Sequence, residues 1–544
     1  MLEIPSPKPV EQLRVLVIDG QTLVHNAIKH ALEPMGMTYV KSAENAYYAL
    51  RLCETHSFDV FIVSFDVKSD KDGFNLLEEM KFKGYVHKTS TVIFLSADTT
   101  QELVNCVIEL EPSDFWVKPL DRVRIQQRMK HILTIKQELF KVQYCMDAGE
   151  YSTAIYHAER QLQDATLEHY HPRINRMVGD ALMLLYEYKE AEVFYRRLAQ
   201  RYKYAWVQIG LIRSLLKQNK YEEATPLSKI LLRRNDTRFA TYDALAEYYI
   251  DKEEYKKGYD VIKKATELAP RNLERNKKSW NLARLNHDRE GQLAATKSMA
   301  KYAKNSIHDT PEFSLNVVRA TLDFATTVGE MEANRMLVTA ERHIRELRDN
   351  TAMSGELRQQ LDIVEARVAN LRKDKRKAEG LLSDHMSTEP LVSVEDSLDK
   401  MKAFHEIGYR EEAIKLLEKT QSQVESDSFI GHVMREYLSQ EKEERKNIHF
   451  TSIELAEMAA GHYKQRRLSP AFDLLNQALT LTPDNHNFAI SLLKIIAHIS
   501  AEERLNDAHQ TSANFCLDAL KEAELDRTQK AKVDEYCNAI ERAL

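Results

Sequence analysis

The sequence predicts an α/β doubly wound domain followed by an all-α helical solenoid, and three observations predict it. From about residue 12 to residue 136, short β-branched apolar runs alternate with amphipathic helical patterns. Beyond Lys118-Pro119 the strand-like runs stop and nearly everything reads as amphipathic helix. That helical part also resembles itself at a period of 34 residues.

The alternation is explicit in the first segment. Val15 to Ile18 is a β-branched strand-like block, followed by Asp19 and a helical pattern through Leu23, Ile28, Leu32 and Met35. Asp59 to Val63 reads as strand, Asn75 to Met80 as helix, Thr91 to Leu95 as strand, Leu103 to Leu110 as helix and Phe115 to Val117 as a short strand. Such alternation implies a flavodoxin-like parallel sheet, whose functional loops gather at the carboxyl ends of the strands. Those ends carry Asp19, Ser64, Ser96 and Lys118-Pro119.

On these residues the segment 12–136 resembles the receiver domain of bacterial two-component response regulators. The resemblance implies an acidic pair after the first strand to hold Mg²⁺, a phosphoacceptor Asp after the third, Ser or Thr after the fourth and Lys-Pro after the fifth. Asp19, Ser96, Ala97, Lys118 and Pro119 match, and Phe115 takes the position of the switch aromatic. Two positions depart. Gly20 stands where the second acid is implied, and in DVFIVSFDVKSDKDGFNLLEEM the phosphoacceptor position falls on Ser64.

Charge counting gives the chemical consequence. Mg²⁺ is a hard cation that needs several oxygen ligands, and a carboxylate is the group that forms a labile acyl phosphate. With Gly20 and Ser64 in place, only Asp19 remains of the implied carboxylates, so no metal and no cofactor is expected. Ser64 would need a general base and would form a stable ester that does not reset. Asp66, two residues on, is the alternative acceptor, and Lys118 is expected to pair with Asp19.

The helical part reads as repeats. Phe239 to Asn272 places Tyr242, Leu245, Ala246, Tyr249, Tyr255, Ala265 and Pro270 at spacings that resemble the tetratricopeptide repeat, with Gly258 where Ala is usual. Ser452 to Asn485 is a second copy, and looser ones include Gly149 to Ile155 with Ala158, Gly179 with Tyr188, Ala191 and Tyr195, Lys220 to Ala224 after Trp206 and Gly210, and Gly408 to Ile414. Small residues where helices approach and large ones in the gaps explain the pattern. Residues 273 to 390 keep helical periodicity without the signature, as in Ser314 to Phe324, Glu332 to Leu347 and Leu357 to Leu371, and read as divergent helix pairs.

The expected organisation is therefore a degenerate receiver over 12–136, a first sub-array over 137–390 and a second over 391–544. A break is expected at Thr388 to Ser393, with Leu525 to Leu544 as a capping helix. From Asp121 to Asp147 there is no Gly or Pro, so the last receiver helix is expected to run nearly straight into the first repeat helix.

Composition bounds the rest. At 544 residues the chain exceeds the roughly 100–200 residues of one domain. Only 15 Gly and 13 Pro interrupt it, which favours helix. Lys plus Arg total 77 against 83 Asp plus Glu, a net charge of −6 spread along the chain, so no nucleic-acid partner is expected. The basic run Arg372 to Lys377 and the cluster from Arg271 to Arg284 read as solvated helix faces. Five separated cysteines, Cys53, Cys106, Cys145, Cys516 and Cys537, form no CxxC or Cys/His cluster, so no disulfide framework or zinc site is expected and a reducing cytoplasm fits. The start, MLEIPSPKPVEQ, lacks a signal-peptide core, and no stretch approaches the roughly 18 apolar residues of a membrane span.

His169-Tyr170-His171-Pro172 reads as an inter-helix loop, and the tyrosines Tyr195, Tyr242, Tyr248, Tyr249 and Tyr255 read as repeat core. No P-loop, dinucleotide fingerprint, HExxH or nucleophile elbow is present, so an enzyme is not expected. The resemblance implies a non-enzymatic signalling protein whose receiver surface binds a histidine kinase and modulates, chiefly inhibits, its phosphotransfer. The solenoid is expected to take a helix or peptide of a protein partner. The alternatives are a phosphorylatable regulator with the array as output, and a pure scaffold, including a homodimer through the receiver.

Overall fold

Val15–Ile18 forms β1, an inner strand of a five-stranded parallel sheet, because four consecutive large apolar residues suit a strand buried on both faces. In this computed structural model, which describes residues 4–69, 71–350, 354–424, 429–447, 450, 452–483, 485–502, 504–521, 523 and 525–541, the other strands are β2 (Val40–Ala43), β3 (Val60–Ser64), β4 (Thr91–Ser96) and β5 (Asp114–Val117). Their order is β2-β1-β3-β4-β5. The inner strands β1, β3 and β4 are buried throughout, whereas the edge strands β2 and β5 are partly exposed.

Helices α1 (Thr22–Leu32) and α5 (Arg122–Glu138) cover one face, over a core of Val15, Val17, Ile28, Ile62, Ile93, Trp116 and Met129. Helices α2 (Ala46–Thr55), α3 (Gly73–Phe82) and α4 (Gln101–Glu109) cover the other, over Leu16, Ile18, Phe61, Val63, Leu77 and Phe94. Asn45, Asp72 and Asp121 cap α2, α3 and α5 with their side-chain oxygens, which fixes where each helix begins.

Beyond α5 the regular elements are helical: α6 (Phe140–Asp147), α7 (Tyr151–Leu162), α8 (His171–Leu184), α9 (Tyr188–Arg201), α10 (Ala205–Lys217), α11 (Tyr221–Leu231), α12 (Arg238–Asp251), α13 (Tyr255–Leu268), α14 (Leu273–Leu285) and α15 (Arg289–Ala303). There follow α16 (Pro311–Ala325), α17 (Glu330–Asn350), α18 (Gly355–Leu371), α19 (Lys375–Leu382), α20 (Val394–Ile407), α21 (Arg410–Gln423), α22 (Phe429–Asn447), α23 (Ser452–Lys464), α24 (Leu468–Leu481), α25 (His486–Glu502), α26 (Asp507–Lys521) and α27 (Arg527–Glu541).

One turn recurs along this series. Gly149, Tyr186, Asn219, Glu253, His287, Lys373, Gly408 and Arg466 each lie in the left-handed region between two helices, with φ from 55° to 110°. At each, the next residue donates its N–H to the carbonyl five positions back, as from Glu150 to Cys145, Glu187 to Leu182, Lys220 to Leu215, Glu254 to Tyr249 and Arg467 to His462. This is a Schellman cap, which satisfies the orphan carbonyls of the first helix and reverses the chain into the second. Five residues after the left-handed residue stands a buried Ala154, Ala191, Ala224, Gly258, Ala378, Ala413 or Ala471, and only after His287 is the residue a larger one, Gln292. A small side chain there lets the second helix approach the first closely. From Tyr186 to His287 the turns recur every 33 or 34 residues.

The chain divides into two compact units, Met1–Arg275 with Tyr302–Asp309, and Asn276–Lys301 with Thr310–Leu544. In the first unit the sheet domain and the hairpins from α6 to α13 belong together. Tyr195 fills its core between two glycines: a Cβ on Gly179 would lie 2.4 Å from the Tyr195 hydroxyl, and one on Gly210 would lie 2.2 Å from its ring. In the second unit α20 is buried on nearly every side although it carries Asp396, Asp399, Lys400 and Lys402. Buried ion pairs accommodate all of these but Lys400, whose ammonium has no hydrogen-bond partner: Arg319 pairs with Asp396, Arg367 meets Asp399 and Glu406 at 2.7 Å and Asp323 at 2.8 Å, and Lys402 meets Asp323 at 2.5 Å.

Several expectations need correction. The α5 and α6 helices do not form one rod: the helix is interrupted at the buried Leu139, although hydrogen bonding continues through it from Leu139 N–H to Ile135 and from Gln143 N–H to Leu139. The compact units do not divide at Thr388 to Ser393. That stretch is an internal connection of the second unit, tied by the Leu391 N–H to Ser397 Oγ at 2.8 Å and ending in Ser393, the cap of α20. The Arg271–Arg284 cluster is not a solvated face, because Arg275 and Arg284 are buried in ion pairs with Asp243 and with Glu395 respectively. Arg372 to Lys377, by contrast, is exposed, with Arg372 paired to Glu341. His169-Tyr170 closes a 3₁₀ turn and His171-Pro172 begins α8, where the missing N–H of proline costs nothing. Within the span Leu525 to Leu544 the structure has α27 over Arg527–Glu541, and residues 542–544 lie outside the described residues.

The glycine contacts predict a contrast measurable by thermal or urea denaturation. Gly210→Ala is expected to cost about 1–3 kcal/mol, because the Tyr195 ring is enclosed and has nowhere to move. Gly461→Ala, on α23 with nothing within 4 Å, is expected to be neutral or to stabilise by up to about 1 kcal/mol.

Candidate functional site

The parallel sheet delivers Asp19, Ser64, Ser96 and Lys118 to one pocket at its carboxyl edge, because β1, β3, β4 and β5 all end there. Asp19 is fully buried, and its Oδ2 lies 2.6 Å from the Lys118 ammonium. Its Oδ1 accepts from the Gln21 N–H at 2.8 Å. Lys118 also donates to Ser64 Oγ at 2.9 Å, and Ser64 is fully buried. The lysine thus bridges the one pocket carboxylate and the serine. Ser96 is buried as well, and its Oγ accepts from the Asp98 N–H at 3.0 Å.

Gly20 and Asp66 are placed differently from these four. A Cβ on Gly20 would meet Lys68 Cγ at 3.2 Å, and the Lys68 ammonium pairs with Glu44 at 2.9 Å. That pairing holds the Glu44 carboxyl below the usual range. The side chain next to Gly20 is therefore a cation's stem. Asp66 accepts from the Gly20 N–H through its backbone carbonyl at 3.3 Å, while its side chain is exposed and makes no bond to the pocket.

This donor set does not fit Mg²⁺. A hard divalent ion needs several anionic or carbonyl oxygens, yet Asp19 is already neutralised by Lys118, and Gly20 and Ser64 add no charge.

Phe115 is half-buried at the end of the sheet and stacks on Phe94 at 6.2 Å, which in turn packs on Phe65 at 6.5 Å. Gly73 has a strict steric role: a Cβ there would lie 1.8 Å from the Ser64 carbonyl, so only glycine lets the start of α3 pass beneath the end of β3. Sequence reasoning named neither Gly73 nor Lys68 and Glu44. The motif KDGFN held the first in plain view, but the second pair needed the β2–α2 and β3–α3 loops brought together in space.

A parallel 2-1-3-4-5 sheet with Asp, Ser and Lys at the carboxyl ends of β1, β4 and β5 defines a domain of receiver type. A family model for the response regulator receiver domain matches residues 15–130. The chemotaxis protein CheY of Treponema pallidum (strain Nichols) is 30% identical over 122 residues, 22% of this chain and 82% of that protein. Through this domain the chain belongs to the response-regulator receiver family. Among solved structures, the chemotaxis response regulator CheY4 of Vibrio cholerae is 19% identical and covers 22% of this chain and 98% of its own, with a TM-score of 0.21. A two-component response regulator from Clostridium difficile is 22% identical over 23% of this chain and 97% of its own, with a TM-score of 0.21.

The pocket predicts unequal costs for its two partners of Lys118 contact. Lys118→Met leaves the buried Asp19 carboxylate without its cation and is expected to cost about 3–5 kcal/mol. Ser64→Ala removes one hydrogen bond and is expected to cost about 1–2 kcal/mol. Urea midpoints of the two variants measure both, and equal costs would show that the ion pair carries little.

Proposed function

We propose that this is a non-enzymatic signalling protein of a bacterial two-component phosphorelay, in which a phosphorylation-incompetent receiver binds a histidine kinase and inhibits its phosphotransfer. The observation that carries this reading is the Lys118 ammonium held between Asp19 and Ser64 Oγ. A phosphoryl group would need that cation free, a carboxylate at position 64 and a metal to spread its charge. The exposed Asp66 side chain supports no substitute acceptor.

A surface that docks without accepting phosphate competes with the true acceptor. Leu23 in the first turn of α1 and Val123 in the first turn of α5 are 80% and 57% exposed, and Val117 at the end of β5 is 48% exposed. Since α1 and α5 pack side by side and both start at the carboxyl edge, these residues flank the pocket mouth. An apolar surface of that kind suits a helical partner. The helical hairpins are read as tetratricopeptide-type repeats, which bind a helix or peptide of a protein partner. No helix among the described residues is long and apolar enough to cross a membrane, and a cytoplasmic site of action fits the free cysteines.

Titrating the full chain into a partner kinase and its true acceptor is expected to slow phosphotransfer saturably. Leu23→Ala is expected to weaken that effect about fivefold, the worth of about 1 kcal/mol at an interface. Unchanged transfer at saturating protein would favour a pure scaffold.

A further inference from the structure

A cavity of about 550 Å³ lies within the first unit at the amino ends of β3 and β4, the edge of the sheet opposite the pocket of Asp19, Ser64 and Lys118. Its walls are largely aromatic. Phe58 just before β3 and Phe61 within it meet edge to face at 6.1 Å, Tyr85 follows α3, and Phe140 and Tyr144 stack at 6.0 Å on α6. A cavity of this size and lining suits a small organic ligand that a few polar groups orient.

The charged groups of the lining are unequally matched. Asp59 is satisfied, since its Oδ1 accepts from the Lys8 ammonium at 2.7 Å and its Oδ2 from the Arg14 N–H at 3.0 Å. Lys136, in the last turn of α5, has no carboxylate partner among the described residues and donates only to the Lys88 carbonyl, at 2.5 Å. Burial pulls its pKa down to about 8; Asp147 opposes that shift, while Arg173 and Lys81 add to it. The Asp147 carboxylate is itself taken up by the Lys88 and Thr89 N–H groups, at 2.9 and 3.1 Å. Glu54, the other acid of the lining, is exposed, and the Tyr144 hydroxyl has no hydrogen-bond partner among the described residues. An ammonium held beside apolar rings without a carboxylate is stabilised by an incoming anion.

We propose that this cavity binds a small aromatic monoanion, a flat aromatic carboxylate, with its rings among the aromatic walls and its carboxylate accepting from the Lys136 ammonium. One unmatched ammonium suits one negative charge. The other lysine of the lining, Lys8, is already paired with Asp59, so a phosphate with two charges is matched less well. Lys136 on α5 and Phe140 and Tyr144 on α6 lie on either side of the interruption at Leu139, so the ligand touches both helices and the amino edge of the sheet. The site is at the opposite edge from Leu23 and Val123, and so it stands independently of the kinase reading.

Calorimetric titration of 2-naphthoate and of its neutral isostere 2-naphthamide into the full-length protein tests this. Naphthoate is expected to bind about tenfold more tightly than naphthamide, as one charge-assisted hydrogen bond warrants. Lys136→Met, which keeps an apolar chain of similar length, is expected to abolish that preference and to leave naphthamide binding within about twofold. Lys130→Met, at an exposed lysine of the same helix, is expected to change neither. Ser57→Trp sets a ring into the lining from an exposed loop position and is expected to weaken both probes about tenfold, a reading that does not depend on how Lys136→Met folds. A preference for naphthoate that Lys136→Met removes supports the proposal. Absence of naphthoate binding, equal affinity for the two probes in the unaltered protein, a preference kept by Lys136→Met, or naphthoate affinity unchanged by Ser57→Trp would each overturn it.

Discussion

The buried pairing of Lys118 with Asp19 is the interaction on which the receiver depends. It neutralises the one carboxylate left inside the pocket, gives Ser64 a donor and so permits four strand ends to converge without unpaired charge. Beside a neutral serine at position 64, the buried Lys118 ammonium needs an anion elsewhere, because an unpaired buried charge is costly. Asp19 supplies that anion, and Lys68 with Glu44 forms a second neutral pair beside Gly20. The pocket is thereby electrostatically neutral and closed on itself.

The helical part rests on a different constraint, the Schellman turn with a small residue five positions later. Its recurrence sets the hairpin geometry with little help from the rest of the sequence, so the helix surfaces are free to differ from one hairpin to the next. In the first unit those surfaces carry Arg271 and Arg275, which meet acids of the sheet domain. In the second unit the buried helix α20 pairs Asp396, Asp399 and Lys402 with Arg319, Arg367 and Asp323, while its buried Lys400 ammonium has no hydrogen-bond partner. Such networks contribute more to a unique arrangement than to net stability.

Most of the fold was legible in the sequence because its signals are local. The β-branched blocks at Val15, Val60 and Thr91 are buried on both faces and read as continuous apolar runs, and the pocket residues lie directly after them. The edge strand Val40–Ala43 leaves little mark in the sequence, since VKSA is half polar and only the sheet identifies it. The features that leave no such local mark are tertiary in origin. A basic cluster beginning at Arg271 looks solvated until the acids that neutralise it, Asp72, Glu109 and Asp243, arrive from elements far away in sequence. The interruption at Leu139 likewise leaves no mark, because a leucine suits the middle of a helix and only packing turns it inward.

The central claim is that the receiver acts through its surface and not through phosphate. Incubation of the purified full-length protein with Mg²⁺ and a small-molecule phosphodonor, followed by intact mass measurement, tests it most directly. An unchanged mass is the predicted result. A gain of one phosphoryl group that is lost on mild alkaline treatment, the mark of an acyl phosphate, would contradict it.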